Sequence, residues 1–247
     1  MAKDANETRP PAKRPGESVT ESVSGRSEID AFVRRARALG PRTDGKRGRL
    51  IFALDATMSR QPRWDLACQL QAEMFEEAAA VGGLDVQLIY YRGLAECRAS
   101  KWVSDPKRLA GLMEKIDCRG GHTQIGRVLE HVRKESKRAK VDVFVFVGDA
   151  MEESVDDLCA KAGELALLNV PAFMFQENID PIAERAFREI ARLTGGAWCP
   201  FDAGASAQLR DLLRAAAAYA AGGHAALADL SKRAGGEGAV KLLGQMR

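Results

Sequence analysis

The chain has 247 residues, 46% of them hydrophobic and 29% charged, enough for one large domain or for one domain with tails. The net charge of +3 is too small to point to a nucleic-acid or membrane partner, and no apolar run approaches the roughly 18–20 residues of a membrane span. Five scattered cysteines (Cys68, Cys97, Cys118, Cys159 and Cys199) without a CxxC pair argue against a disulfide framework or a structural zinc site. Free thiols in a reducing cytoplasm are expected instead. His122, His131 and His224 show no metal-ligand spacing.

Charge is unevenly placed. Residues 1–49 hold twelve Lys/Arg against seven Asp/Glu, a balance of +5, so the other 198 residues sum to −2. Residues 1–26 are rich in Pro, Ser and charge and poor in apolar groups, which predicts a disordered basic arm. The arm has no apolar h-region and mixes acids with bases, fitting neither a secretory signal nor a transit peptide; a cytoplasmic location is expected. Residues 27–47 read as a short amphipathic helix, with Ile29, Phe32, Val33, Ala36 and Leu39 at helical spacing, and a Gly/Pro/charge linker. The arginines around this helix and linker read as a solvated charge run, with at most weak nucleic-acid binding, since few aromatics interleave.

From residue 48 strands and helices alternate. Residues 49–55 (RLIFALD) form a buried strand, 63–81 a long helix and 85–93 a second strand. Residues 96–104 suit an edge strand, and 105–116 a helix opening on Asp-Pro. A glycine-containing loop at 118–124 leads into another helix. VDVFVFVGD (141–149) is almost continuously apolar, as a central parallel strand should be. A helix, the strand VPAFMFQE, a helix, the short strand AWCPFD and a closing helix follow, with 223–247 as a weakly helical tail. The pattern predicts an α/β fold: a doubly wound, mostly parallel six-stranded sheet with helices on both faces, over residues 48–222. In such sheets ligands bind outside the carboxyl ends of the strands. GxGxxG, GxxxxGK[ST] and GxSxG are all absent.

Three segments at strand ends or loops carry compact oxygen ligands. LDATMSR places Asp55, Thr57 and Ser59 at alternate positions after the first strand; GGHTQIG places Thr123 before a helix; VGDAMEE places Asp149 at the end of the most apolar strand. Two carboxylates and three hydroxyls, with no thiolate or imidazole, suit Mg²⁺ or Mn²⁺. Arg60, His122 and Glu152 stand beside these residues in sequence and read as a rim for a partner.

The order Asp55-x-Thr57-x-Ser59, then Thr123, then Asp149 resembles the metal-ion-dependent adhesion site (MIDAS) of von Willebrand factor A (VWA) domains, whose pattern is DxSxS, a loop Thr and an Asp ending the fourth strand. The likeness spans residues 48–222, including an antiparallel edge strand at 96–104. It implies direct metal bonds from Thr57 and Ser59, a direct or water-mediated bond from Thr123, and mostly water-mediated ones from Asp55 and Asp149. It also implies a protein-protein interaction module, not an enzyme, in which a partner's Asp or Glu completes the metal shell. Intracellular members often work beside AAA+ ATPases or in complex assembly. Thr57 replaces the usual Ser, and VGDA lacks the family's frequent Ser or Thr before the Asp and Gly after it.

The residues leave alternatives open. Asp55 and the hydroxyls are ordinary cap and turn residues, and a metal-free scaffold fits the same pattern. DxTxS with a later Gly-Asp also resembles haloacid-dehalogenase-type phosphotransferases, with Asp55 as nucleophile. That family's second loop Asp is Thr57 here, and Glu153 stands where a further Asp is expected.

Overall fold

A computed structural model describes residues 47–63, 84–201, 206–233 and 235–246. The predicted arm and first helix, and nearly all of the predicted helix 63–81, lie outside these residues. The described chain runs β1 (Gly48–Asp55), a 3-10 turn (Met58–Arg63), β2 (Leu84–Arg92), β3 (Glu96–Ala99), α1 (Pro106–Met113), α2 (Ile125–Arg138), β4 (Val143–Gly148), α3 (Val155–Leu167), β5 (Ala172–Glu177), α4 (Pro181–Thr194), β6 (Ala197–Phe201), α5 (Ser206–Leu230) and α6 (Glu237–Leu243). The six strands form one sheet in the order β3-β2-β1-β4-β5-β6. All neighbours are parallel except β3, which pairs antiparallel with β2 at the edge. The predicted α/β architecture and its antiparallel edge strand are both present.

Strand periodicity splits the core into two layers. Successive side chains of a strand point to opposite faces. Leu50, Phe52 and Leu54 of β1, with Val143, Val145 and Val147 of β4, pack against α1, α5 and α6. Ile51 and Ala53, with Phe144 and Phe146, pack against α2, α3 and α4. Both faces are therefore covered, which explains why β4 and β5 are buried at every position. Local chemistry sets the helix starts. Asp105 and Asp180 accept backbone N–H bonds at the N-caps of α1 and α4, each followed by proline at the first helical position, and Ser154 caps α3.

The expected boundary at 222/223 falls inside α5. Gly223 takes φ 63° and kinks the helix, but the chain continues to Leu230, and Leu227, Leu230, Ala239, Leu242 and Met246 are buried with the core. Gln245 then accepts a 2.8 Å bond from the Trp198 N–H of β6, satisfying a backbone donor of the terminal strand. Residues 223–233 and 235–246 thus extend this apolar layer, with α6 lying against β6. The glycine pair that interrupts the sequence pattern supplies a bend. Among the described residues no helix is long and apolar enough to cross a membrane. The four described cysteines are free thiols.

Gly48 allows α5 to touch β1 directly: a Cβ there would lie 2.1 Å from the Ala220 carbonyl oxygen. Gly48→Ala should therefore cost about 1–3 kcal/mol or more, because backbone must move. Gly163→Ala, on α3 with open space around it, should stabilise by about 0.5–1 kcal/mol. Urea unfolding of the two variants tests this, and equal effects would contradict the close approach.

Candidate functional site

Parallel strands deliver their carboxyl ends to one edge, and the polar residues gather there. Asp55 ends β1 on the face of α2, α3 and α4 and is fully buried. Its Oδ1 accepts the Thr57 N–H at 2.8 Å, and its Oδ2 accepts the Tyr91 hydroxyl at 2.9 Å from β2. Burial pushes the Asp55 carboxyl above its ordinary range and the Tyr91 phenol well above its own. Thr57 Oγ1 and Ser59 Oγ lie 3.1 Å apart, so the two hydroxyls face one another. The Asp55–Ser59 loop is tied to the next one by the Arg119 N–H to Ala56 carbonyl bond at 3.0 Å and a backbone bridge between Thr57 and Arg119.

Asp149 follows β4, the parallel neighbour of β1. Gly148 brings the two ends close: a Cβ on it would lie 3.4 Å from the Asp55 Cβ and 2.7 Å from the Phe146 ring. The negative charge of Asp149 acts on Asp55 and opposes its ionisation. Asp149 Oδ1 is buried and has no hydrogen-bond partner. A buried, unpartnered carboxylate oxygen is costly unless something else satisfies it. Thr123, also buried, joins the same edge: its Oγ1 accepts the Glu152 N–H at 3.0 Å, three residues beyond Asp149. Asp55, Thr57, Ser59, Thr123 and Asp149 therefore sit on two adjoining strand ends and the loop beside them.

This donor set is oxygen throughout. Among the described residues no cluster of three or more His, Cys, Asp or Glu side chains suits a metal, as expected where only two donors are carboxylates. A hard divalent cation fits the available chemistry and would satisfy the orphaned Asp149 oxygen. The thiols offer no competing chemistry: burial pushes Cys97, Cys118 and Cys199 up to about 11.

The residues read as a rim divide. His122 and Glu152 are exposed and joined by a 2.8 Å Nδ1–Oε2 contact. Arg60 is not on the rim. It is 2% exposed, its Nε donating to Glu177 Oε2 at 2.7 Å and its Nη1 to the Asp55 carbonyl at 2.9 Å. Burial opposes its charge, but Glu177 and Asp55 more than offset this and hold its pKa above the ordinary value. The 3-10 turn folds Arg60 back under β1 to meet a carboxylate at the end of β5, a contact that local sequence cannot announce. Arg119, among the described residues, is exposed beside this edge, its Nε 3.0 Å from Asp117 and its Nη1 3.8 Å from Glu96. The acidic run after Asp149 also divides. Glu153 accepts from the Ile125 and Gly126 N–H groups and so caps α2, while Asp156 and Asp157 occupy the first turn of α3. Tyr91 and Glu177 are the site-edge residues missed from sequence. Alternation along β2 was the available signal for Tyr91, since Ile89 and Tyr91 share the face of Asp55.

No family model and no curated protein matches the chain. Solved structures match its fold. A von Willebrand factor type A protein from Catenulispora acidiphila superposes with a TM-score of 0.56 at 16% identity, over 70% of this chain and 43% of that one. Proximal thread matrix protein 1 from the mussel byssus, with a zinc-occupied MIDAS motif, gives a TM-score of 0.59 at 16% identity, over 77% and 52%. The SpRpn10 VWA domain gives 0.52 at 11% identity, over 64% and 90%. The chain thus spans about half or less of the first two proteins. Identities this low speak to fold alone: the chain has the fold of von Willebrand factor type A domains.

Arg60→Met should destabilise the protein by about 3–5 kcal/mol, because it leaves the Glu177 carboxylate in the interior without this guanidinium. The double variant Arg60→Met/Glu177→Met should recover most of that loss in urea unfolding. A solvated rim arginine would show neither effect.

Proposed function

We propose that this VWA-fold chain is a protein-interaction module that works through a divalent cation. Mg²⁺ or Mn²⁺ is held among Asp55, Thr57, Ser59, Thr123 and Asp149, and an Asp or Glu of a partner protein supplies the remaining ligand. The observation that carries this reading is the buried, unpartnered Asp149 Oδ1 at a strand end beside Asp55. A capped turn would leave no such oxygen; a cation site needs one. Two carboxylates formally balance a divalent ion, and the five oxygen donors leave one of six octahedral positions for an incoming carboxylate. The zinc-occupied motif of the byssus protein is consistent with a divalent ion in this fold. The oxygen donors here favour Mg²⁺ or Mn²⁺ over zinc.

A binding role fits Asp55 better than a nucleophilic one. Its side chain is fully buried and held by Thr57 N–H and Tyr91 O–H, whereas a nucleophile that attacks phosphorus must be reached by its substrate. The family resemblance extends the proposal to an intracellular complex, with an AAA+ ATPase or an assembly factor as the partner class.

Thermal melts with and without Mg²⁺ or Mn²⁺ test the reading. At a cation concentration near 100 times its Kd, the wild type should gain about 2.7 kcal/mol, a rise on the order of 5–10 °C for a chain of this size. Asp149→Ala should raise the melting temperature of the metal-free protein, by removing an unsatisfied buried oxygen, and should abolish the response to metal. A variant that responds as the wild type does would sink the site. Phosphate-ester hydrolysis lost in Asp55→Ala would favour the phosphotransferase alternative.

A further inference from the structure

Four large apolar side chains are exposed at the carboxyl edge of the sheet: Met58 at 53%, Leu94 at 77%, Ile179 at 90% and Ile182 at 63%. Elsewhere among the described residues only Leu167 and Val240 are comparably exposed. Met58 lies within the Thr57–Ser59 loop. Leu94 follows β2, and Ile179 follows β5, so in the order β2-β1-β4-β5 they flank the pair of strands that carries Asp55 and Asp149.

Both flanks are fixed to the site. The Gly93 carbonyl accepts the His122 N–H at 3.3 Å, and a Cβ on Gly121 would lie 2.0 Å from that same carbonyl oxygen. The Leu94 turn thus packs directly on the loop that carries Thr123. On the other side, Arg60 bridges the Asp55 carbonyl to Glu177. Asn178, at φ 63°, then turns the chain outward to Ile179. Neighbouring strands are about 4.8 Å apart, so each flank stands about 7 Å from the midpoint between β1 and β4. An extended peptide advances about 3.3 Å per residue, and its residues i−2, i and i+2 point to one side. About 7 Å is therefore two residues.

We propose that the partner segment is an extended strand of pattern apolar-x-Asp/Glu-x-apolar, lying across the strand ends, its central acid on the cation and its apolar side chains on Leu94 and Ile179. This rests on the cation-site reading and names the partner's chemistry. The Arg119 guanidinium, its backbone bridged to Thr57, pairs with Asp117 and Glu96 of this chain, so the cation is what draws the partner's acid. Met58 lies under the peptide's centre, and Ile182 extends the Ile179 flank.

The test uses three labelled peptides in fluorescence polarisation: acetyl-Ser-Leu-Ser-Asp-Ser-Leu-Ser-amide, the same with both Leu replaced by Ser, and the same with both Leu moved next to the Asp. The first should bind at least about tenfold tighter than either other in Mg²⁺, and should release in chelator. Leu94→Ser and Ile179→Ser, both exposed and expected to melt as the wild type does, should each lose about fivefold or more for the first peptide. They should leave the Leu-free peptide and the calorimetric Mg²⁺ affinity unchanged. Equal binding of the three peptides, a preference for adjacent leucines, no binding of any peptide by Mg²⁺-loaded protein, or no loss in either variant overturns the proposal while the cation site stands. Absence of Mg²⁺ binding in calorimetry overturns both.

Discussion

A parallel strand must be followed by a crossover, so parallel neighbours all finish on the same edge of the sheet. Here β1, β2, β4, β5 and β6 do so. Both faces are sealed by apolar layers, so the strand ends are where the chain can bring polar groups together against a low-dielectric floor. Everything at the candidate site follows from that constraint. Asp55 and Asp149 approach each other because β1 and β4 are adjacent. Tyr91 reaches Asp55 because β2 lies on its other side, and Glu177 meets Arg60 because β5 comes next.

Burial makes these contacts matter. A carboxylate at the surface would be served by water; Asp55 is served by the Thr57 N–H and side chain and by the Tyr91 phenol, and burial still raises its pKa. Arg60 supplies a permanent positive charge below the loop, felt by both Asp55 and Asp149. The pair with Glu177 holds that charge in place. A buried ion pair contributes little net stability, yet breaking one partner is costly, so the arrangement resists substitution without being a source of stability. Its structural effect is to lock the turn after β5 to the loop after β1.

Much of this was legible in the sequence, for physical reasons that can be named. Unbroken apolarity in 143–147 marks a strand covered on both faces, and Asp, Thr and Ser at strand ends mark the loops of an α/β sheet. Arg60 was misread because one residue of local context separates a rim arginine from a buried one. The deciding partner, Glu177, is 117 residues away in sequence. The C-terminal segment, expected to be weakly helical, was half legible because Gly222 and Gly223 break a helical pattern without ending the helix. A bend at a residue that tolerates φ 63° is invisible to periodicity. Tyr91 was half legible: alternation gives its face, but its bond to Asp55 also requires the pairing register Asp55↔Tyr91.

Capping explains only part of the Asp-x-Thr-x-Ser loop. Asp55 Oδ1 does what a cap does, accepting the N–H two residues on. The hydroxyls behave differently. Thr57 and Ser59 contact each other, and a hydroxyl pair uses one proton and one lone pair between them, leaving further lone pairs on both oxygens. Thr123 Oγ1 accepts a single N–H and likewise keeps a lone pair. Asp149 Oδ1 accepts nothing. Capping accounts for one of the five side chains. What the other four share is unspent acceptor capacity on one edge of one sheet, which backbone donors do not meet and a hard cation would.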